Sequence, residues 1–181
     1  KIMMQSLQPF NQGEVANLTT FGLQSSHFKF GILSMESDKY ITVKEPTTVT
    51  LSNFKTISGG TGNLIVIEPG NQFKTTKKPN KAEAAIMHPD SNIIALKAKV
   101  DNSDEKFLIQ VTGLSLYKLN SGLDLEPQKK LRALEINEPV VYWRWLNANK
   151  LGIVTNSAAY SINIYNENED KVKLMDRYVF P

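Results

Sequence analysis

The sequence predicts an all-β fold in which about three four-stranded antiparallel sheets form part of a β-propeller. A polar turn followed by an apolar strand occurs three times, at residues 38–43, 91–96 and 149–154. The copies are roughly 50 to 60 residues apart, and all-strand repeats of roughly 40 to 50 residues are typical of propeller blades. No segment shows a sustained 3.6-residue period, so we expect helices to be few and short.

Each copy has an apolar strand before the turn and another strand further on. We expect the preceding strands at residues 28–34, 84–87 and 140–146, and the later ones at residues 64–67, 114–119 and 159–165. The chain is then a single domain over residues 1–181. Its predicted blades are blade one at about residues 28–78, blade two at about 84–134 and blade three at about 139–179.

Two inserts and a lead-in interrupt this repeat. Residues 46–63 end in a glycine-rich run, which favours a loop. Residues 100–112 form the second insert, and part of it, residues 106–111, can form an additional strand. The first 25 residues show no strong period, so we expect an irregular lead-in with one short strand.

Composition excludes several classes of protein. The 181 residues are 41% hydrophobic and carry a formal charge of +3. The absence of cysteine excludes disulfides and thiolate sites. No run of about 18 apolar residues is present, and the first residues become polar too early for a secretory signal. We therefore expect a cytoplasmic location.

Nothing in the sequence indicates an enzyme, a metal site or a cofactor. His27 and His88 are the only histidines, and no spacing typical of zinc ligands surrounds them. The carboxylates are scattered over turns without a matched acid and base pair, and no nucleophile elbow occurs.

An aromatic strand follows the second repeat. Trp143 and Trp145 lie on one face of the predicted strand, whereas Tyr142, Arg144 and Leu146 lie on the other. We interpret the two tryptophans as filling the core between blades, because base stacking on nucleic acid would need an adjoining basic groove.

Basic residues gather where two blades end. They are Lys74, Lys77, Lys78 and Lys81 in one cluster, and Lys129, Lys130 and Arg132 in the other. Such clusters are usually solvated surface, but they also leave open a basic fragment that binds anionic lipid or nucleic acid.

A set of short runs resembles the N-terminal domain of clathrin heavy chain, in the order and with the spacing of that family. The resemblance covers about residues 21–178. The runs are Met35-Glu36-Ser37-Asp38-Lys39-Tyr40-Ile41, Ala85-Ile86-Met87-His88-Pro89, Ile94-Ala95-Leu96-Lys97-Ala98, Trp143-Arg144-Trp145, Val154-Thr155 and Met175-Asp176-Arg177.

The resemblance implies a seven-bladed propeller, of which this chain would supply about three blades, so an unprotected sheet edge is expected. It implies a non-enzymatic role in coated pits and vesicles, on their cytoplasmic face. Short peptides of adaptor proteins would bind the propeller, nucleic acid would not, and contact with membrane would be indirect. Trimerisation and light-chain binding would use regions outside these residues.

The resemblance also implies a peptide groove between blades one and two, for ligands of the form Leu-apolar-x-apolar-acidic. By position in the family, the implied binding residues are Leu64, Val66, Lys78, Ile94, Ser115, Tyr117, Lys129 and Lys130. A threonine and a glutamine of the family align with Gly113 and Ser115. Phe30 matches a second peptide site on the top face. If the insert at residues 100–112 covers the groove, a purely architectural fragment is the alternative.

Overall fold

The computed structural model describes residues 17–45, 49–50, 56–57, 62–100, 106–113, 130–166 and 168–177. These residues form three four-stranded antiparallel sheets and a two-stranded hairpin. Two short 3-10 turns, Leu18–Phe21 and Ser25–His27, are the only helical segments among them. The predicted all-β fold, a partial propeller of about three blades, is confirmed.

The three sheets follow one another along the chain. Sheet one contains β1 (Leu33–Ser34), β2 (Ile41–Lys44), β5 (Gly62–Glu68) and β6 (Lys74–Asn80), and the hairpin of β3 (Val49–Thr50) and β4 (Thr56–Ile57) is inserted in it. Sheet two contains β7 (Ala84–Met87), β8 (Ile93–Lys99), β9 (Phe107–Gly113) and β10 (Lys130–Ile136). Sheet three contains β11 (Val140–Asn147), β12 (Lys150–Thr155), β13 (Ala158–Asn163) and β14 (Val172–Asp176).

The strand predictions differ from the structure in two places. The third strand of sheet two is Phe107–Gly113, where the sequence predicted an additional strand at residues 106–111 within an insert, and its alternating apolar residues pair in register with β8. The predicted strand at residues 114–119 lies outside the described residues. The first strand of sheet one is only Leu33–Ser34, since a turn containing Gly31 at φ 84° interrupts the predicted strand at residues 28–34.

Residues 64–67 of strand β5 are apolar without interruption, as expected where both faces of a strand are buried. Ile65 and Ile67 pack with Leu23 of the lead-in, whereas Leu64 and Val66 pack against sheet two. The outer neighbour β6 is instead polar and contains Pro79, as an edge strand permits.

Among the described residues, sheets two and three enclose the largest apolar layer. Trp145 is buried in it beside Ile109, Ile136 and Leu151, and Trp143 packs against the same layer. The interpretation of both tryptophans as core residues between blades is confirmed. On the opposite face of β11, Tyr142 and Leu146 are exposed, among several large apolar side chains exposed on sheet three.

The first strands of the three sheets approach one another. The Ser34 hydroxyl of sheet one donates a hydrogen bond to the Ala85 carbonyl of sheet two at 3.1 Å. The Arg144 Nε of sheet three lies 3.8 Å from the Glu36 carboxylate of sheet one. These contacts are those of sheets arranged side by side around a common axis.

His88 joins the turns of sheets two and three. Its ring is 2% exposed and lies edge-on to Trp145, with the ring centroids 4.7 Å apart. Its Nδ1 accepts hydrogen bonds from the backbone N–H groups of Asp90 and Ser91, both at 3.0 Å. Two donors on Nδ1 place the ring proton on Nε2, which donates to the Ala148 carbonyl of sheet three at 3.0 Å.

We predict that His88→Ala destabilises the protein by about 2 to 4 kcal/mol, because it removes three hydrogen bonds and leaves a cavity against Trp145. Urea unfolding measures the loss. The control, His27→Ala, removes a half-buried histidine that accepts one local backbone hydrogen bond, and its cost should stay below about 1 kcal/mol. Equal costs for the two variants would contradict this role for His88.

Candidate functional site

The structure brings together three of the apolar residues that the resemblance implies for the peptide groove. Leu64 and Val66 of β5 and Ile94 of β8 lie in one buried cluster between sheets one and two. Ile94 is 0% exposed. Because residues 64 and 66 share one face of β5, both point toward sheet two. The three side chains therefore form the floor of the cleft between the two sheets.

Lys78 lies at one border of this floor. It pairs with Leu64 across β5 and β6, and Lys44 of β2 pairs with Leu64 from the other side. Residues in one cross-strand row share a face, so the row Lys44–Leu64–Lys78 faces sheet two. Lys78 is half-buried, and this burial lowers the pKa of its ammonium group.

Sheet two supplies polar side chains to the same cleft. Thr112 pairs with Ile94, and Gln110 pairs with Leu96, so both share the face that packs on sheet one. By the resemblance, the family's threonine and glutamine align with Gly113 and Ser115. Gly113 instead pairs with Ile93, on the opposite face of the sheet. Gln110 and Thr112 were missed because residues 107–112 were interpreted as insert.

The remaining implied site residues are only partly described. Ser115, Tyr117 and Lys129 lie outside the described residues. Lys130 begins β10, where its Cα pairs with Thr112, at the outer edge of the row that contains Ile94. Phe30, implied for a second peptide site, lies in the turn before β1 and is fully exposed.

Hydrogen bonds from Ser34, Ser37 and Lys39 hold the turn end of the cleft together. In addition to the Ser34 contact, the Ser37 hydroxyl donates to the Pro89 carbonyl at 2.7 Å. The Lys39 ammonium lies 3.4 Å from the Asp90 carboxylate and donates to the Asp90 carbonyl at 3.3 Å. The row of Lys44 and Lys78 lies at the other end of the cleft, away from these links.

A polar network borders that other end. The Glu45 carboxylate accepts hydrogen bonds from Asn63 Nδ2 at 2.5 Å and from Lys77 Nζ at 3.1 Å. Burial alone raises the pKa of Glu45, but these two hydrogen bonds and the charge of Lys77 outweigh burial and lower it below the ordinary 4.5. The network fixes the backbone at the end of β2, where the chain leaves sheet one.

Other kinds of site find no support in the described part of the chain. Among those residues, no group of three or more His, Asp or Glu side chains is arranged to hold a metal ion. Within the same residues, we find no helix with the length and hydropathy of a membrane span.

We predict an acid-sensitive contribution from Glu45. Since its pKa is lower in the folded than in the unfolded chain, Glu45 stabilises the fold above pH 4.5, and this stabilisation is lost as the pH falls through the lowered value. Glu45→Gln should therefore cost up to about 1 kcal/mol at pH 7, because Lys77 is partly solvated.

The measurement is the midpoint of thermal unfolding from pH 7 to pH 3. The difference between wild type and Glu45→Gln should shrink as the pH falls, and Glu135→Gln, which alters an exposed carboxylate, serves as the control. A difference for Glu45→Gln that stays constant down to pH 3 would contradict the assignment.

Comparisons with known proteins confirm the resemblance to clathrin heavy chains. The clathrin heavy chain of Drosophila melanogaster is 28% identical over 170 residues, which are 94% of this chain. The probable clathrin heavy chain of Schizosaccharomyces pombe is 28% identical over 97% of it. Clathrin heavy chain 2 of Homo sapiens is 27% identical, also over 97%. No protein-family model matches the chain.

The similarity covers a small part of these relatives. The chain spans 8% of the length of the Drosophila protein and 9% of the lengths of the yeast and human proteins. The three sheets therefore correspond to a limited portion of a much longer polypeptide in these relatives.

Proposed function

We propose that this chain, which is homologous to the clathrin heavy chains, is a structural and non-enzymatic component of a cytoplasmic vesicle coat. Its binding element is the cleft between sheets one and two. The ligands are extended peptides of the form Leu-apolar-x-apolar-acidic, carried by adaptor proteins. Contact with the membrane is indirect, through those adaptors.

The observation that carries this proposal is an apolar floor with a cationic border. Leu64, Val66 and Ile94 form the floor, and Lys78 lies beside Leu64 on the outer strand of sheet one. An extended peptide places alternate side chains on one side, so its apolar residues can enter the cleft while its acidic end meets a lysine. The floor is closed in the structure, and the peptide would occupy its outer edge between β6 and β9.

Gln110 and Thr112 suit the peptide main chain. Thr112 is the cross-strand partner of Ile94, and Gln110 is that of Leu96, so both side chains lie on the face of sheet two that packs on sheet one. An amide and a hydroxyl both donate and accept hydrogen bonds, which an extended backbone needs at every second residue. We assign them this role, and we retain Ser115, Tyr117 and Lys129 as further contacts from the following segment.

Such a site should bind each peptide weakly. It has few pockets, and its lysine contacts are partly solvated, so a dissociation constant of about 1 μM or weaker is expected. Weak single contacts suit a coat, because many linked contacts reach a high total avidity. The exposed Phe30 offers a second point of attachment in the same manner.

An NMR titration with a Leu-Leu-Asp-Leu-Asp peptide tests the proposal. Shift changes should centre on Lys78, Ile94, Gln110 and Lys130, with the residues of sheet three unaffected. A peptide with the same composition in scrambled order is the control. Shift changes centred on sheet three, or none at millimolar peptide, would contradict the proposal.

A charge reversal at Lys130 tests the cationic border of sheet two. We predict that Lys130→Glu weakens binding of this peptide about tenfold and leaves the unfolding midpoint unchanged, since the residue begins an outer strand. Lys150→Glu, on the exposed start of β12, changes the net charge equally and should retain affinity. Unchanged affinity in Lys130→Glu would remove this residue from the site.

Salt dependence separates peptide binding from phosphate binding. If the basic residues serve nucleic acid or anionic lipid, affinity should fall steeply between low and physiological salt. Peptide binding driven by apolar pockets should fall gently. Steep salt dependence, together with binding to anionic vesicles or oligonucleotides, would favour the alternative function.

A further inference from the structure

Sheet three has a second face that points away from sheet two. Its first face packs on sheet two through residues such as Trp145 and Leu151, and the side chains that alternate with these form the second face, called here the outer face. Four large apolar side chains of the outer face are between 46% and 65% exposed, namely Tyr142, Leu146, Val172 and Met175. Large exposed apolar patches mark interaction sites, so this face is a candidate interface.

The outer face consists of two apolar ridges with a trough between them. Strand pairing places Tyr142 in one row with Val154, Ala159 and Met175. The large side chains of this row lie on β11 and β14, the first and fourth strands, which are about 14 Å apart. The smaller side chains of β12 and β13 lie between them and are half-buried.

Leu146 extends the ridge on β11. Its side chain leans over Gly152 of β12, where an added Cβ atom would lie 2.9 Å from the Leu146 Cδ2 atom. Gly152 pairs with Arg144 and Ser161 in the row next to that of Tyr142. Leu146 therefore fills one end of the trough, and the other end remains accessible to a side chain of a partner.

The charged residues of the outer face lie at its borders. Arg144 points toward sheet one, where its Nε lies 3.8 Å from the Glu36 carboxylate, and Lys150 begins β12 at the turn. Lys173 and Asp176 of β14 belong to the face toward sheet two, because they pair with Tyr160 and Ala158. A centre that contains Tyr and Met and lacks charge is typical of a protein–protein interface.

The free face of sheet one, at the opposite end of the three sheets, is covered by the lead-in. Leu23 is buried against Ile65 and Ile67, and the ring of Phe21 lies 5.7 Å from that of Phe73. One copy therefore cannot stack its sheet three on sheet one of the next copy unless the lead-in is displaced. Two identical outer faces can pair without such a change, and a two-fold axis limits the assembly to two copies.

The exposed area of the outer face suits a weak dimer. Val141 and Leu174 are also exposed and lie beside Tyr142 and Met175, where the strand register shifts. These six side chains expose on the order of 600 Å² per copy, the upper limit for most monomers. A pair would bury about 1,200 Å², the lower limit for a specific interface, so we expect a dissociation constant of about 10 to 100 μM.

We propose that the outer face of sheet three is a dimer interface whose occupant is a second copy of this chain. The two copies are related by a two-fold axis, and the ridge of Tyr142 and Leu146 in each copy packs into the trough of the other. The proposed peptide cleft lies on the other side of sheet two and stays open. A dimer thus presents two such clefts, which raises its avidity for an adaptor that carries two peptides.

Sedimentation equilibrium of the 181-residue chain at about 5 to 500 μM tests the pairing. The mass should rise from that of one chain to that of two, with the midpoint at about 10 to 100 μM. Met175→Lys places a charge in the interface and should weaken pairing at least tenfold, with an unchanged unfolding midpoint because Met175 is exposed. Met35→Lys, at a turn residue that is 52% exposed, is the matched control and should pair as wild type does.

Three results of this experiment would overturn the proposal. They are a wild-type chain that remains monomeric at 500 μM, species larger than two copies, and equal weakening by Met175→Lys and Met35→Lys. The last result would place the contact away from sheet three.

Methyl NMR spectra of wild-type protein provide a readout that does not depend on a variant. On dilution from 500 μM, the signals of Leu146, Val154 and Met175 should shift together, and those of Met35 and Ile41 should stay constant. Shifts confined to sheet one would overturn the proposal. The Leu-Leu-Asp-Leu-Asp peptide and anionic vesicles should leave the outer-face signals unchanged. If either shifts them in dilute protein, the occupant is a peptide or a lipid surface, and the proposal of a second copy fails while the dimer-independent test of the peptide cleft stands.

Discussion

The apolar layer between sheets one and two is the contact on which the candidate site depends. Leu64 and Val66 are pressed against Ile94 and Met87, and this packing fixes the separation of the two sheets. Lys78 on β6, and Gln110 and Thr112 on β9, lie beside this layer because these strands pair with β5 and β8. Transfer of these side chains out of water supplies the driving force, at about 1.5 to 3 kcal/mol for each large apolar side chain.

The two clefts of the structure share a plan. In both, the turn end is joined by hydrogen bonds: Ser37 binds Pro89 between sheets one and two, and His88 binds Ala148 between sheets two and three. In the cleft between sheets two and three, Lys97 meets a carbonyl, an aromatic ring and a nearby carboxylate. In the other cleft, the Lys44 ammonium donates to the Glu45 carbonyl at 3.0 Å, and the Glu45 carboxylate favours its charge. Each cleft thus holds one lysine beside a carbonyl oxygen and a nearby carboxylate.

Much of the fold follows from local pattern in the sequence. The alternation of side chains between the two faces of the strand around Trp143 predicted the first strand of sheet three. The three recurring polar turns predicted the three-blade organisation. Both are local signals, which can be recognised without knowing how the strands pair. The third position in sheet two was assigned to residues 114–119, because residues 100–112 were interpreted as an insert in which residues 106–111 formed only an additional strand. The burial of Lys44 was not predicted, because it depends on the partners of β2, and strand register cannot be derived from residues 41–44 alone.

A double-mutant cycle between Leu64→Ala and Ile94→Ala tests the central claim most directly. Each change should cost about 2 to 4 kcal/mol in urea unfolding, and the pair should show a coupling energy of about 1 kcal/mol, because both side chains line the same layer. Costs that add within about 0.3 kcal/mol would show that the two sheets do not share this layer, and the site built on it would not exist.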